Sequence, residues 1–221
     1  HFVDLNILKL LSNTIILVLL SSLLLIVLAF VSNYGNRVSR SKLLESFTAF
    51  SISGYAIPGI ILAVAFITFV SWFDKNIIIF LGIGTIKSIF IGSILGLILV
   101  YFVRFYSLAN NGIKSGYLKI NYSIDESAYL LGYSKFKTFK NIHIPYLKNS
   151  IFLIGILIAI EIIKELPITL IMRPFNFETF ATTAYIFASQ DLLEAAAAPS
   201  LFLIVIASFF ILVTSRYILK D

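Results

Sequence analysis

DESAYLLGYSKFKTFKNIHIP, residues 125–145, is the stretch that decides the fold, because it is polar and amphipathic in a chain that is otherwise apolar. Asp125 and Glu126 stand where a helix N-terminus favours negative charge, so a short helix is expected to begin there. Gly132 breaks that helix, residues 133–141 supply a basic and aromatic second one, and Pro145 stops the segment. The expected product is a helix-turn-helix lying across a membrane face. Its surroundings set the solvent: 59% of the 221 residues are apolar and 13% charged, against about 25% charged in a soluble chain.

Outward from this stretch, several apolar runs approach the ~20 residues that cross a hydrocarbon core of ~30 Å as a helix. The predicted fold is all-α and polytopic, one transmembrane domain over 1–221 with about five spans, near 14–31, 54–73, 79–103, 148–166 and 196–215. Gly54, Pro58 and Gly59 interrupt the second span near its start and are expected to kink it. The third contains Lys87 and the spacing Ser88, Gly92, Gly96, which would align three small residues on one helix face for close packing. The fourth stays apolar until Glu161, then carries Lys164 and Glu165 before Pro167 ends or bends it.

The formal net charge of +6 fits topology better than nucleic acid, because the basic residues fall between apolar runs and form no stripe interleaved with exposed aromatics. Placing the loop after span three inside gathers most of the Lys and Arg on that side, among them Arg37, Arg40, Arg104, Lys114, Lys135 and Lys220, as the positive-inside rule requires. The N-terminus is then outside and the C-terminus cytoplasmic, with a cytoplasmic segment at 104–147 and an extracytoplasmic one at 167–194. The absence of cysteine excludes disulfides, thiolate metal sites and cysteine nucleophiles. The chain starts at His1 with an apolar run too long for a signal peptide, and truncation from something longer is the expectation.

The spacing in 125–145 resembles the coupling loop of ABC importer permeases, whose pattern is Glu-Ala-Ala, three residues, Gly, nine residues, Ile-x-Leu-Pro. Here Glu126, Ser127, Ala128, Gly132, Ile142, Ile144 and Pro145 keep that spacing, with Ser127 for Ala and Ile144 for Leu. The resemblance implies the type I ABC importer transmembrane fold and a loop that docks into a groove on an ATP-hydrolysing subunit. It assigns ATPase coupling to Glu126, Ser127, Ala128, Gly132, Ile142 and Pro145. Small residues at 127, 128 and 132 would let a partner approach the backbone, and Glu126 offers a charge for pairing. An amphipathic helix held at the lipid surface by Lys135, Lys137 and Lys140 is the plainer alternative, but surface attraction does not require this Gly and Pro spacing.

Glu161, Lys164 and Glu165, at i, i+3 and i+4, share one helix face and can pair. Charge within a span marks a pathway by default, although a helix end with Lys164 snorkelling to the headgroups gives the same pattern. From Lys164 onward, Lys-Glu-Leu-Pro, then Arg173-Pro174-Phe175 and the Thr-rich run at 179–183 look like the ferric-iron subgroup of those permeases, as does GYAIPG at 54–59. That subgroup commonly fuses two halves, and the chain looks like the C-terminal one. Glu161, Lys164, Glu165 and Arg173 are thus the candidate translocation-path residues. Ferric iron prefers oxygen ligands, which a chain with no Cys and two His permits. His143, at a position the pattern leaves free, is expected to be exposed.

No Gly-x-x-x-x-Gly-Lys-Ser/Thr phosphate loop occurs, so no cofactor is expected on this chain and ATP belongs to a partner. The resemblance implies, as partners, ABC ATPase subunits, a second permease half and an extracytoplasmic binding protein, in the lipid of a cell inner membrane. Related permeases carry thiamine, polyamines or phosphonates on a similar frame. From another class, an ion-coupled secondary transporter would use Glu161, Lys164 and Glu165 as a relay, but leaves the 126–145 spacing unexplained. An enzyme is disfavoured, because no Ser/His/Asp constellation or metal motif is present.

Overall fold

A computed structural model of the chain describes residues 6–39, 42–81 and 88–218, and every regular element among the described residues is helical. Arg40, Lys87 and Lys220 lie outside them. In order the helices are α1 (Ile7–Ser39), α2 (Lys42–Ile52), α3 (Gly59–Leu81), α4 (Ile94–Tyr117), α5 (Tyr122–Leu130), α6 (Lys135–Thr138), α7 (Ile144–Ile163), α8 (Pro167–Met172), α9 (Phe180–Ser189) and α10 (Leu193–Ile218). A 3₁₀ turn at Ser53–Ala56 follows α2, and a π turn at Phe139–His143 joins α6 to α7. Among the described residues, five helical stretches are long and apolar enough to cross a membrane: α1, α3, α4, α6–α7 and α10.

Helix α4 is the centre of the bundle. Leu97, Val100, Tyr101, Phe105, Ala109 and Ile113 are all essentially inaccessible, and α1, α3, α7 and α8 pack around them. Helix α1 is apolar all round, so hydropathy does not mark its inner face. Small and polar residues do: Asn13, Thr14, Ser21, Ala29 and Asn33 are buried, whereas Leu19, Leu23 and Val27 are exposed. Helix α10 turns a continuous apolar row outward, Leu201, Ile204, Val205, Phe209 and Leu212, as a lipid-facing surface does.

Four expectations need correction. The third membrane helix begins at Ile94, not at 79, because α3 runs on through Asp74 to Leu81. The buried Asp74 carboxylate accepts the backbone N–H groups of Phe90 at 3.0 Å and Ile91 at 3.2 Å, and this fixes the turn between α3 and α4. Gly92 sits in that turn with φ +67, so Ser88, Gly92 and Gly96 do not share a helix face.

Arg104, counted from sequence with the cytoplasmic loop, lies inside α4, and the loop begins only after Tyr117. Several of the polar residues that lower hydropathy there find partners within the bundle. Asn33 of α1 donates to the Asn110 side chain at 2.8 Å, and Tyr106 donates to Ser32 at 2.6 Å. The close-packing motif is also here, at Gly112 and Gly116. A Cβ on Gly112 would stand 2.5 Å from Ile154 of α7, and one on Gly116 would stand 2.7 Å from Leu147. This is the small-x-x-x-small spacing that lets membrane helices approach closely.

Residues 167–194 fold onto the bundle. Ile168, Thr169 and Met172 of α8 are buried against α3 and α4, and α9 lies along α10. Finally, Pro145 does not stop the polar segment, since helix continues through it from Lys135 to Ile163. A proline ring clashes with the carbonyl four residues before it. The π turn just upstream widens the helix there, with the Ile144 N–H reaching back to the Phe139 carbonyl.

Candidate functional site

The polar segment forms a hairpin at one end of the bundle. Helix α5 begins three residues earlier than the acidic pair suggests, because the Asn121 side chain caps it by accepting the Ser123 N–H at 3.2 Å. It ends in a Schellman turn: Gly132 has φ +80, its N–H bonds the Tyr129 carbonyl, and the Tyr133 N–H bonds the Ala128 carbonyl. Only glycine holds that φ without steric cost. Ser134 then caps α6 by accepting the Lys137 N–H.

What holds the hairpin to the bundle is a buried polar network that sequence reading does not find. Asp125 takes Arg37 Nε of α1 on one oxygen at 2.7 Å and His143 Nε2 on the other at 2.8 Å. His143 Nδ1 lies 3.3 Å from the Tyr117 hydroxyl of α4, and Arg37 donates to the carbonyls of Ile120 and Asn121. His143 is 1% exposed, which corrects the expectation of a solvent-facing side chain. Tyr34 of α1 packs edge-on against its ring and donates to the Lys135 carbonyl at 2.6 Å. Asp125 and His143 belong to opposite arms of the hairpin, and His143 is the last residue of the π turn.

The opposite face of the hairpin is open. Glu126 and Ser127 are exposed, and Leu130, Leu131 and Phe136 are 89%, 79% and 72% exposed. Ser127, buried Ala128, Leu131, Tyr133 and half-buried Ile142 line a groove of about 410 Å³. A Cβ on Gly132 would meet nothing within 4 Å. Pro145 is exposed one residue into α7. Exposed apolar side chains rimmed by charge mark an interaction surface.

The second set of candidates splits into three places. Glu161 pairs with Lys164 at 2.7 Å at the end of α7. Glu165 turns to α8, accepting the Ile168 N–H at 3.2 Å, and its carbonyl accepts from Thr169, which also bonds the Tyr101 hydroxyl. Arg173 joins neither. It pairs with Glu178, a residue not singled out from sequence, whose carbonyl accepts from Asn13 of α1 at 2.9 Å. With Lys9 donating to Asn176 at 3.0 Å, these contacts tie residues 173–179 to the start of α1 at the end of the bundle away from the hairpin.

Solved structures share this architecture. A bacterial alginate ABC transporter, solved with an alginate pentasaccharide-bound periplasmic protein, aligns over 97% of this chain and 79% of its own, at 17% identity and a TM-score of 0.76. A bacterial ABC transporter involved in importing the acidic polysaccharide alginate aligns over 95% and 77%, at 18% identity and 0.72. The MetNI methionine ABC transporter, in inward-facing conformations, aligns over 94% and 90%, at 15% identity and 0.65. No protein-family model and no curated protein matches the sequence. The fold is therefore that of the membrane-spanning chains of ABC importers.

Proposed function

We propose that this chain is a translocating subunit of an ATP-driven, binding-protein-dependent importer and that the α5–α6 hairpin is its docking element for a separate ATP-hydrolysing subunit. The observation that carries the reading is the two-sided hairpin. One side is locked to α1 and α4 through Asp125, His143 and Arg37, and the other offers Glu126, Leu130, Leu131 and Phe136 to a partner. A hairpin held this way passes displacement to membrane helices instead of absorbing it. The hairpin end is then cytoplasmic and the N-terminal end of α1 faces the opposite compartment of a cell inner membrane, with a second translocating half and an extracytoplasmic binding protein completing the assembly.

The function is transport without catalysis: nucleotide-driven closure of two ATPase subunits moves two hairpins together and tips the bundle between inward-open and outward-open packings. Ferric iron is the cargo that the Lys164–Pro167 and Arg173–Phe175 stretches support by their resemblance to iron permeases. The test is ATP-dependent uptake of labelled ferric iron into proteoliposomes holding the full complex and its binding protein, with Gly132→Pro alongside. Uptake that needs ATP and is lost in Gly132→Pro upholds the reading. Uptake without ATP overturns it, and ATP consumed for another cargo overturns iron alone.

A further inference from the structure

Two helix breaks remote in sequence meet beside one arginine. The first is residues 53–58, a 3₁₀ turn followed by extended Ile57 and Pro58. The second is residues 164–166, between α7 and α8. They touch at Gly59, where a Cβ would stand 3.1 Å from Glu165 Oε1 and 3.5 Å from Pro167. Arg104 reaches from α4 into the first break, donating through one nitrogen to the carbonyls of Ile57 and Tyr55, with its guanidinium 5.5 Å over the Tyr55 ring. Its Nε is buried and has no partner.

Counting from Ile94 at 1.5 Å per residue places Arg104 about 15 Å along α4, close to the middle of a ~30 Å hydrocarbon core. Unwound backbone and charge at that depth are tolerated only against protein or a water-filled space. Nevertheless Tyr55, Ala56, Ile57 and Pro58 are all exposed on the surface of this chain. This face therefore does not meet lipid, in contrast to the outer row of α10. The charges on it are unequally satisfied. Glu161 and Lys164 neutralise each other and Glu165 holds the Ile168 N–H, whereas Arg104 is held by neutral carbonyls and forms no ion pair among the described residues.

Resting on the importer reading, we propose that Arg104, at the junction of the two helix breaks, is the charged residue of the translocation path and receives an anionic group of the cargo, a carboxylate or other oxyanion. A planar guanidinium held by carbonyls is preorganised for such a group, and discontinuous helices at mid-depth are where membrane transporters place their sites. A metal cargo would then pass with anionic ligands attached, and a bare cation would be opposed.

The chain contains no cysteine, so a single Ala56→Cys substitution reports the local potential without background from this subunit. In the assembled transporter in lipid vesicles, an anionic thiosulfonate should modify the introduced thiol roughly tenfold faster than a cationic one of similar size, the ratio a nearby unit charge produces in water-like surroundings. Arg104→Gln should abolish the ratio, and Arg104→Lys should keep it. No labelling by either reagent, with or without ATP, overturns the proposal, as does a ratio that survives Arg104→Gln. Because this readout is independent of uptake, it can fail while ATP-driven import stands, and the reverse.

Discussion

His143 Nε2 lies 2.8 Å from Asp125 Oδ1, a contact that closes the two arms of the hairpin on each other while Arg37 grips the same carboxylate from α1. Arg37 and Asp125 side chains are only 6% and 10% exposed, so removing one partner strands a buried charge. Asp125→Ala should destabilise the chain by about 3–5 kcal/mol, read as a lowered unfolding temperature of the purified protein. His143→Ala removes one of the two contacts to Asp125 and leaves the Arg37 pair, so its loss should be smaller. Equal losses would show that the Arg37 pair does not hold the hairpin on its own.

At the tip, Leu130→Asp or Phe136→Asp places charge on side chains that touch little of their own chain. Thermal stability should move by less than about 0.5 kcal/mol, while affinity for the ATPase partner falls by roughly tenfold or more, the scale of a lost interface anchor, measured by co-purification and by binding in detergent. Unchanged affinity would remove the hairpin from the interface.

Gly132→Ala adds only a methyl group but forces a Cβ onto φ +80 with nothing nearby to clash. The cost is conformational, about 1–2 kcal/mol. Gly132→Asn, which tolerates that region better, should recover most of the stability, so a glycine-specific loss of ATPase stimulation in both variants would point to partner contact instead.

Close approach of α4 and α7 rests on Gly112 and Gly116. Gly112→Leu should separate the helices and cost at least the roughly 1–3 kcal/mol typical of overpacking, visible as loss of monodisperse protein on size exclusion. Gly92→Ala, at a turn with open space around it, should cost only the strain of its positive φ.

Much of the architecture is legible because lipid imposes length and apolarity on every span, and the break at Gly54–Gly59 and the hairpin glycine are written locally. The failures share one cause. Hydropathy treats Asp74, Arg104, Asn110 and Lys114 as loop residues, whereas the bundle satisfies several of them through partners far away in sequence, as Asn33 does for Asn110 and as Phe90 and Ile91 do for Asp74. The same blindness hides the real glycine pair in a stretch that reads as loop and offers Gly92 and Gly96 in its place. Proximity in sequence groups Arg173 with Glu165, but Pro174 and the turn after it carry Arg173 to Glu178. His143 reads as exposed because neither Asp125, eighteen residues upstream, nor the π turn that aims the ring is visible as a local pattern.

The π turn has a further consequence. By accommodating Pro145 without a break, it leaves a single 29-residue rod from Lys135 to Ile163, about 43 Å long, with the hairpin at one end and the Glu165 junction at the other. A tilt of about 5° at the first end displaces the second by about 4 Å, close to the width of a water molecule and its contacts. Seating of the hairpin and spacing beside Gly59 are then one mechanical variable.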